Sequence, residues 1–206
     1  MKLYARLSVK LSLKSKRLME RITFYWEWLL LPKDEFNILM MLADKRGSFR
    51  GNLSDMCRYF GVDTQNSKNK RALRTSIESL VSKRLINSEQ SGYTYNLKII
   101  PEEKKIELLR KWVDPILQAD HFSESIAKAQ VIKSLIWISQ NNISRIVTNN
   151  EIVQELNMSV STFGSAKNVL ENDFHIILRE IEQVTLTNGE KRNIGQRLGV
   201  PTEWSE

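Results

Sequence analysis

The chain has 206 residues, 41% hydrophobic and 27% charged, a composition that excludes a disordered polymer and leaves room for two modest cores of about a hundred residues each. A net charge of +7 and a pI near 9.5 favour an anionic partner, nucleic acid ahead of membrane headgroups. The single cysteine, Cys57, rules out an internal disulfide, and its place on the apolar face of an expected helix makes it a small buried hydrophobe in a protein of the reducing cytoplasm.

Residues 2–14 alternate, with Leu3, Ala5, Leu7, Val9, Leu11 and Leu13 on one side and Lys2, Tyr4, Arg6, Ser8, Lys10, Ser12 and Lys14 on the other. Period two predicts a strand with one apolar and one basic face, either in the protein's own sheet or as a pairing element between subunits. Lysines and arginines interrupt every apolar run near this end. The longest there, Trp28 to Leu31, is too short for a signal peptide or a membrane span, so neither export nor anchoring is expected. The aromatic stretch Ile22 to Leu31 is ambiguous between helix and strand, and its rings read as core or subunit contact rather than as base-stacking platforms. Residues 1–31 together form an N-terminal strand and aromatic segment with a candidate dimerisation role.

Pro32, Asp34 and Glu35 mark a helix start, and Phe36, Ile38, Leu39, Met41 and Leu42 give that helix a wide apolar face ending at Lys45-Arg46-Gly47. Ser48 to Gly51 is expected as a short strand. Leu53, Met56, Cys57 and Phe60 then make a short amphipathic helix closed by Gly61 in a left-handed conformation. Past the turn Gly61-Val62-Asp63, residues 67–83 carry Leu73, Ile77, Leu80 and Val81 at helical spacing. Lys68, Asn69, Lys70, Arg71, Arg74 and Thr75 supply the residue types that meet phosphates and base edges. Two strands follow, Leu85 to Ser88 and Tyr93 to Ile99, with Tyr93, Tyr95, Leu97 and Ile99 alternating on one face around the turn Glu89 to Gly92.

Helix, turn, basic helix and hairpin in that order resemble a winged helix-turn-helix domain over residues 32–100. The resemblance implies that the basic helix lies in a major groove and the hairpin, with Tyr93, along the backbone.

Downstream, Pro101, Glu102 and Glu103 predict a helix carrying Ile106, Leu109, Trp112 and Val113 and stopped by Pro115, so residues 101–122 are read as a linker helix. Ser123 is the expected N-cap of a long helix through Ile126, Ala129, Ile132, Leu135, Ile136 and Ile138. Thr148 and Glu151 have capping-box spacing before Ile152, Val153 and Leu156; a turn at Asn157-Met158-Ser159 leads to a helix over Ser161–Glu171. Asn188-Gly189, set between Val184 to Thr187 and Glu190 to Ile194, is a strong hairpin signal. Residues 123–206 thus repeat the earlier order, and the fold class expected is mainly α with small β-hairpins, an α+β chain of tandem winged helix-turn-helix units behind an N-terminal strand. The second helix offers only Lys167 as a cation, whereas its hairpin carries Lys191 and Arg192 near the tip and Arg197 beyond it.

No phosphate loop or dinucleotide fingerprint is present, and neither His121 nor His175 has neighbours at metal-ligand spacing. Asp173 with His175 is the nearest approach to a catalytic pair, and a structural histidine is the simpler reading. The expectation is a non-enzymatic, cofactor-free, cytoplasmic protein that binds double-stranded DNA as a homodimer, with no membrane association. Its sites are Lys68, Asn69, Lys70, Arg71, Arg74, Thr75, Tyr93, Lys191 and Arg192, with no catalytic or metal residues. The role is transcription regulation; a plasmid or phage replication initiator, which tandem units and a linker helix resemble, and a protein-interaction scaffold are the alternatives.

Overall fold

A computed structural model describes residues 20–141 and 145–201. The alternating segment 2–14 lies outside them. The protein is mixed α+β with small antiparallel sheets, and it forms two compact units, one spanning Ile22–Glu107 and the other running from Leu108 onward and including Glu20 and Arg21.

The first unit begins within β1 (Arg21–Tyr25), which runs into a 3-10 turn at Trp26–Leu30. This resolves the ambiguous aromatic stretch: Phe24 and Trp28 are fully buried, packed edge to face with ring centroids 6.3 Å apart. Helix α1 (Lys33–Asp44) follows, and its run Ile38–Ala43 is entirely buried, so it is the central rod of this core. Strand β2 (Ser48–Gly51) leads into α2 (Leu53–Tyr59), whose start is fixed by a reciprocal cap. The Asn52 side chain accepts from Asp55 N–H at 3.0 Å while Asp55 Oδ2 accepts from Asn52 N–H at 2.9 Å. Cys57 is buried on the inner face of α2. Gly61 has φ of +66°, where an L side chain would be strained.

Helix α3 (Ser67–Ser82) is followed by β3 (Ile86–Ser91) and β4 (Thr94–Ile99). The sheet order is β2-β4-β3, with Phe49 opposite Leu97 and Ser88 opposite Leu97 from the other side. Tyr95 and Leu97 point inward, as their alternation requires. Tyr93 does not continue that face: with Gly92 it forms the two-residue hairpin loop and is 92% exposed. Gly92, at φ +60°, occupies the first central position of that loop, where positive φ matches the twist of the strands.

The linker helix of residues 101–122 is corrected at its start. Residues Lys105–Leu109 form β5, paired with β1, and the helix α4 is Arg110–Gln118. Ile106 and Leu108 are buried while Lys105 and Glu107 are exposed, so the strand's period of two prevails. Pro115 lies inside α4 rather than at its end.

In the second unit Arg110 is buried and bonded to Asp114 at 3.1 Å, with Glu20 at 3.7 Å. Helix α5 (Lys128–Asn141) buries every residue from Val131 to Ile138. It starts later than its expected cap because Ser123 is engaged elsewhere, its N–H and hydroxyl both donating to Asp173 Oδ2. Helix α6 (Asn149–Leu156) carries the expected capping box of Thr148 and Glu151, and Asn157 in the left-handed region (φ 48°) turns the chain into α7 (Val160–Asn168). A π-turn at Val169–Asp173 extends α7. Strands β6 (Leu178–Thr185) and β7 (Lys191–Gly199) close the unit as a hairpin, with Ile194 bulged where Glu182 and Gln183 pair with Gly195 and Asn193. Val147 bridges Gln196 through two 2.9 Å bonds, so the order Val147, β7, β6 repeats β2, β4, β3.

Candidate nucleic-acid interface

Helix α3 is held by one face. Ser76, Ile77 and Leu80 are buried against the core, each aliphatic side chain worth roughly 1.5–3 kcal/mol of burial. Near its end Ser79 Oγ donates to Glu35 Oε1 at 2.9 Å and Lys83 Nζ donates to Glu35 Oε2 at 2.5 Å. Glu35 is itself buried, so this bond pair fixes the rotation of α3 on α1. Val81, expected on the apolar stripe, is instead 40% exposed.

The start of α3 is built by short side chains. Asn66 accepts from Lys68 N–H at 2.9 Å as the N-cap, Asp63 Oδ1 accepts from Gln65 N–H, and Asn69 Nδ2 donates to Asp63 O at 3.1 Å. Asn69 is therefore a turn organiser, with one of its two amide N–H groups used. Asp63 and Asn66 were missed as orienting residues, although an Asx residue ahead of a basic helical run is a readable cap signal. No acidic residue sits in the first turn of α3, so no carboxylate within the helix itself offsets the positive end there.

With buried residues centred on Ile77 and Leu80, the spacing of 3.6 residues per turn places Lys68, Arg71, Thr75, Glu78 and Ser82 in one stripe opposite them, with Arg74 beside it. Lys68, Arg71, Arg74, Thr75 and Glu78 are exposed; Lys70 is half-buried on the flank. Among the described residues none of Lys68, Lys70, Arg71 and Arg74 has an ion-pair partner, in contrast to Lys83, Arg58 and Lys105, which are bonded to Glu35, Asp55 and Glu107. The hairpin adds the exposed Tyr93 ring. On the outer face of the sheet, Arg50 and Lys98 are exposed, flanking Asn96, whose amide donates to Glu89 at 3.2 Å.

In the second unit the equivalent helix is disposed differently. Lys167, the one cation of α7, is 6% exposed and donates to Gln196 Oε1 at 2.9 Å. Burial, reinforced by Arg179 and opposed by Glu171, pushes its ammonium below the ordinary lysine range. Lys191 and Arg192 stand exposed at the start of β7, opposite Thr185 and Val184, while Arg197 donates to Glu182 at 2.6 Å. Gly189, at φ +82°, turns the tip behind Asn188.

A groove of about 340 Å³ beside β7 is lined by Val147, Asn149, Arg179, Ile181, Ile194 and Gln196, with no histidine, cysteine or carboxylate in its wall. Asp173 and His175 do not form a pair: Asp173 binds Ser123, and His175 Nδ1 lies 2.9 Å from Glu171 O. Among the described residues no cluster of His, Cys, Asp or Glu has the make-up of a metal site, and no helix is long and apolar enough to cross a membrane. No protein-family model matches this sequence, and no curated protein matches it either.

Proposed function

We propose that this chain is a sequence-specific double-stranded-DNA-binding protein, a cytoplasmic transcriptional regulator acting as a homodimer, with residues 32–100 as a winged helix-turn-helix. The observation that carries the reading is the stripe on α3: Lys68, Arg71, Arg74 and Thr75 exposed together, without anionic partners among the described residues, on a helix whose opposite face is locked to the core. An arginine fork and a lysine ammonium held in that way match phosphate oxygens and guanine edges. The order α1, β2, α2, α3, β3, β4 and the β2-β4-β3 sheet fit a winged helix, with Tyr93 at the tip of the wing. Two-fold pairing would double the few contacts one helix offers.

The repeat of element order in the second unit favours a second role, initiation of replication from a plasmid or phage origin with both units on the duplex. The exposed aliphatic residues Leu178, Ile181, Val184 and Ile194 of its hairpin instead fit a protein contact, the scaffold alternative, for that unit.

A fluorescence anisotropy titration of the full chain on random and selected duplexes at several salt concentrations tests these readings. Removing Arg71 and Arg74 together should flatten the dependence of log affinity on log salt by roughly 0.9 for each of the two that meets a phosphate, up to about two units, and by about one if Arg71 is spent on a base edge. An unchanged slope rejects the assignment. Removing Lys191 and Arg192 flattens the slope further if the second unit touches DNA and leaves it alone if only the first does.

A further inference from the structure

Glu78 is the one acid on the α3 stripe, seven residues after Arg71 and four after Arg74. It is exposed, and among the described residues it has no ion-pair partner, even though Arg74 stands at the spacing where an intrahelical pair would form. A carboxylate directed at a phosphate backbone is repelled. The exception is the floor of the major groove, where the N4 amino group of cytosine is a pure donor and accepts a carboxylate as its natural partner.

Resting on the DNA-binding reading above, we infer that Glu78 is a base-reading residue that selects a cytosine, with Arg71 selecting a guanine in the same half-site. The helix rises about 1.5 Å per residue, so the two side chains leave the stripe roughly 10 Å apart along the axis. With the helix axis running along the groove, that distance spans up to about three base steps of 3.4 Å. The preferred duplex therefore carries a G·C pair read by Arg71 and a C·G pair read by Glu78 about three steps away, with Thr75 between them.

The acid also works by exclusion. Guanine O6 and N7 and thymine O4 present acceptors that repel a carboxylate, so the wrong base is rejected as well as the right one favoured. Lys68 and Arg74, flanking the stripe, are left for the phosphates.

Selection from a randomised duplex library with the full chain tests this directly. Wild type should recover cytosine at one column and guanine at another about three steps distant. Glu78→Ala should erase the cytosine preference alone, a roughly ten- to hundredfold loss of discrimination at that pair, while Arg71→Ala erases the guanine column. Glu78→Gln should move the cytosine column toward adenine, whose N6 and N7 suit an amide. If Glu78→Ala tightens binding to every duplex and the selected sequence is unchanged, the acid faces phosphates and the inference is overturned while DNA binding stands. If wild type selects no duplex at all, the parent reading falls first. Both positions are solvent-facing, and unchanged circular dichroism of each variant ties the readout to recognition.

Discussion

The two units lay out the same parts in the same order and use them for opposite ends. Each places a capped short helix after a segment that pairs with its hairpin, β2 in one and the single residue Val147 in the other, with Asn52 and Asp55 or Thr148 and Glu151 as the cap, and each follows it with a second helix. In α3 the cations are on the water side and the acid Glu35 holds the helix from behind. In α7 the cation is turned inward, and Lys167 serves as a hydrogen-bond donor to the Gln196 side chain on β7. A repeated order of elements therefore does not imply a repeated surface; which way the charged side chains are rotated decides what a helix can meet.

The sharpest way to break the comparison is to exchange roles. Lys167→Met removes the donor to Gln196 Oε1 and leaves a buried acceptor unsatisfied, a cost of about 1–3 kcal/mol. Urea unfolding should show a lower midpoint, while the salt dependence of duplex binding stays that of wild type. A changed slope with intact stability would mean that Lys167 meets the duplex and that the two helices are alike after all.

Much of this architecture was readable because its signals are local. The Asn188-Gly189 hairpin, the Thr148 box and the Gly61 turn depend on residues within a few positions of one another, where steric and capping rules act directly. Strand β5 was not, because Ile106, Leu109 and Val113 also satisfy a helical period, and only pairing with the distant β1 decides between the two. The inward rotation of Lys167 was equally hidden, since its partner Gln196 is 29 positions away. The cations of α3 could be named from the sequence, but that none of them forms an ion pair among the described residues is a property of the packed chain. Tyr93 was misplaced by the same limit: alternation predicts an inner face, and the two-residue loop that exposes it is set by where β3 and β4 fall into register.

Smaller effects sharpen the parallel between the caps. Asn52→Ala and Thr148→Ala each remove an acceptor for an N–H in the first turn of a short helix, and each should cost about 1 kcal/mol. Scanning calorimetry of the two variants should give similar losses. A much larger loss for Asn52→Ala would mean that its box also sets the entry to α3, since α2 is the helix that precedes the cationic one.

The finest distinction is in acid. Glu151 Oε2 accepts from both the N–H and the hydroxyl of Thr148, at 2.6 and 2.8 Å, and these bonds hold its carboxyl below the usual glutamate value of 4.5. Because the folded value is depressed, the ionised form binds its partners only in the native state; the stabilisation is complete above 4.5 and is lost as pH falls through the lower, folded value. Glu151→Gln keeps a hydrogen-bonding side chain but cannot titrate. The variant should be less stable than wild type near neutral pH, and the gap should close as the solution is acidified below 4.5, because wild type loses the charged acceptor there and the variant has none to lose. A gap that stays constant through that range would show that the box stabilises α6 by shape alone, with no part played by the charge facing the positive end of the helix.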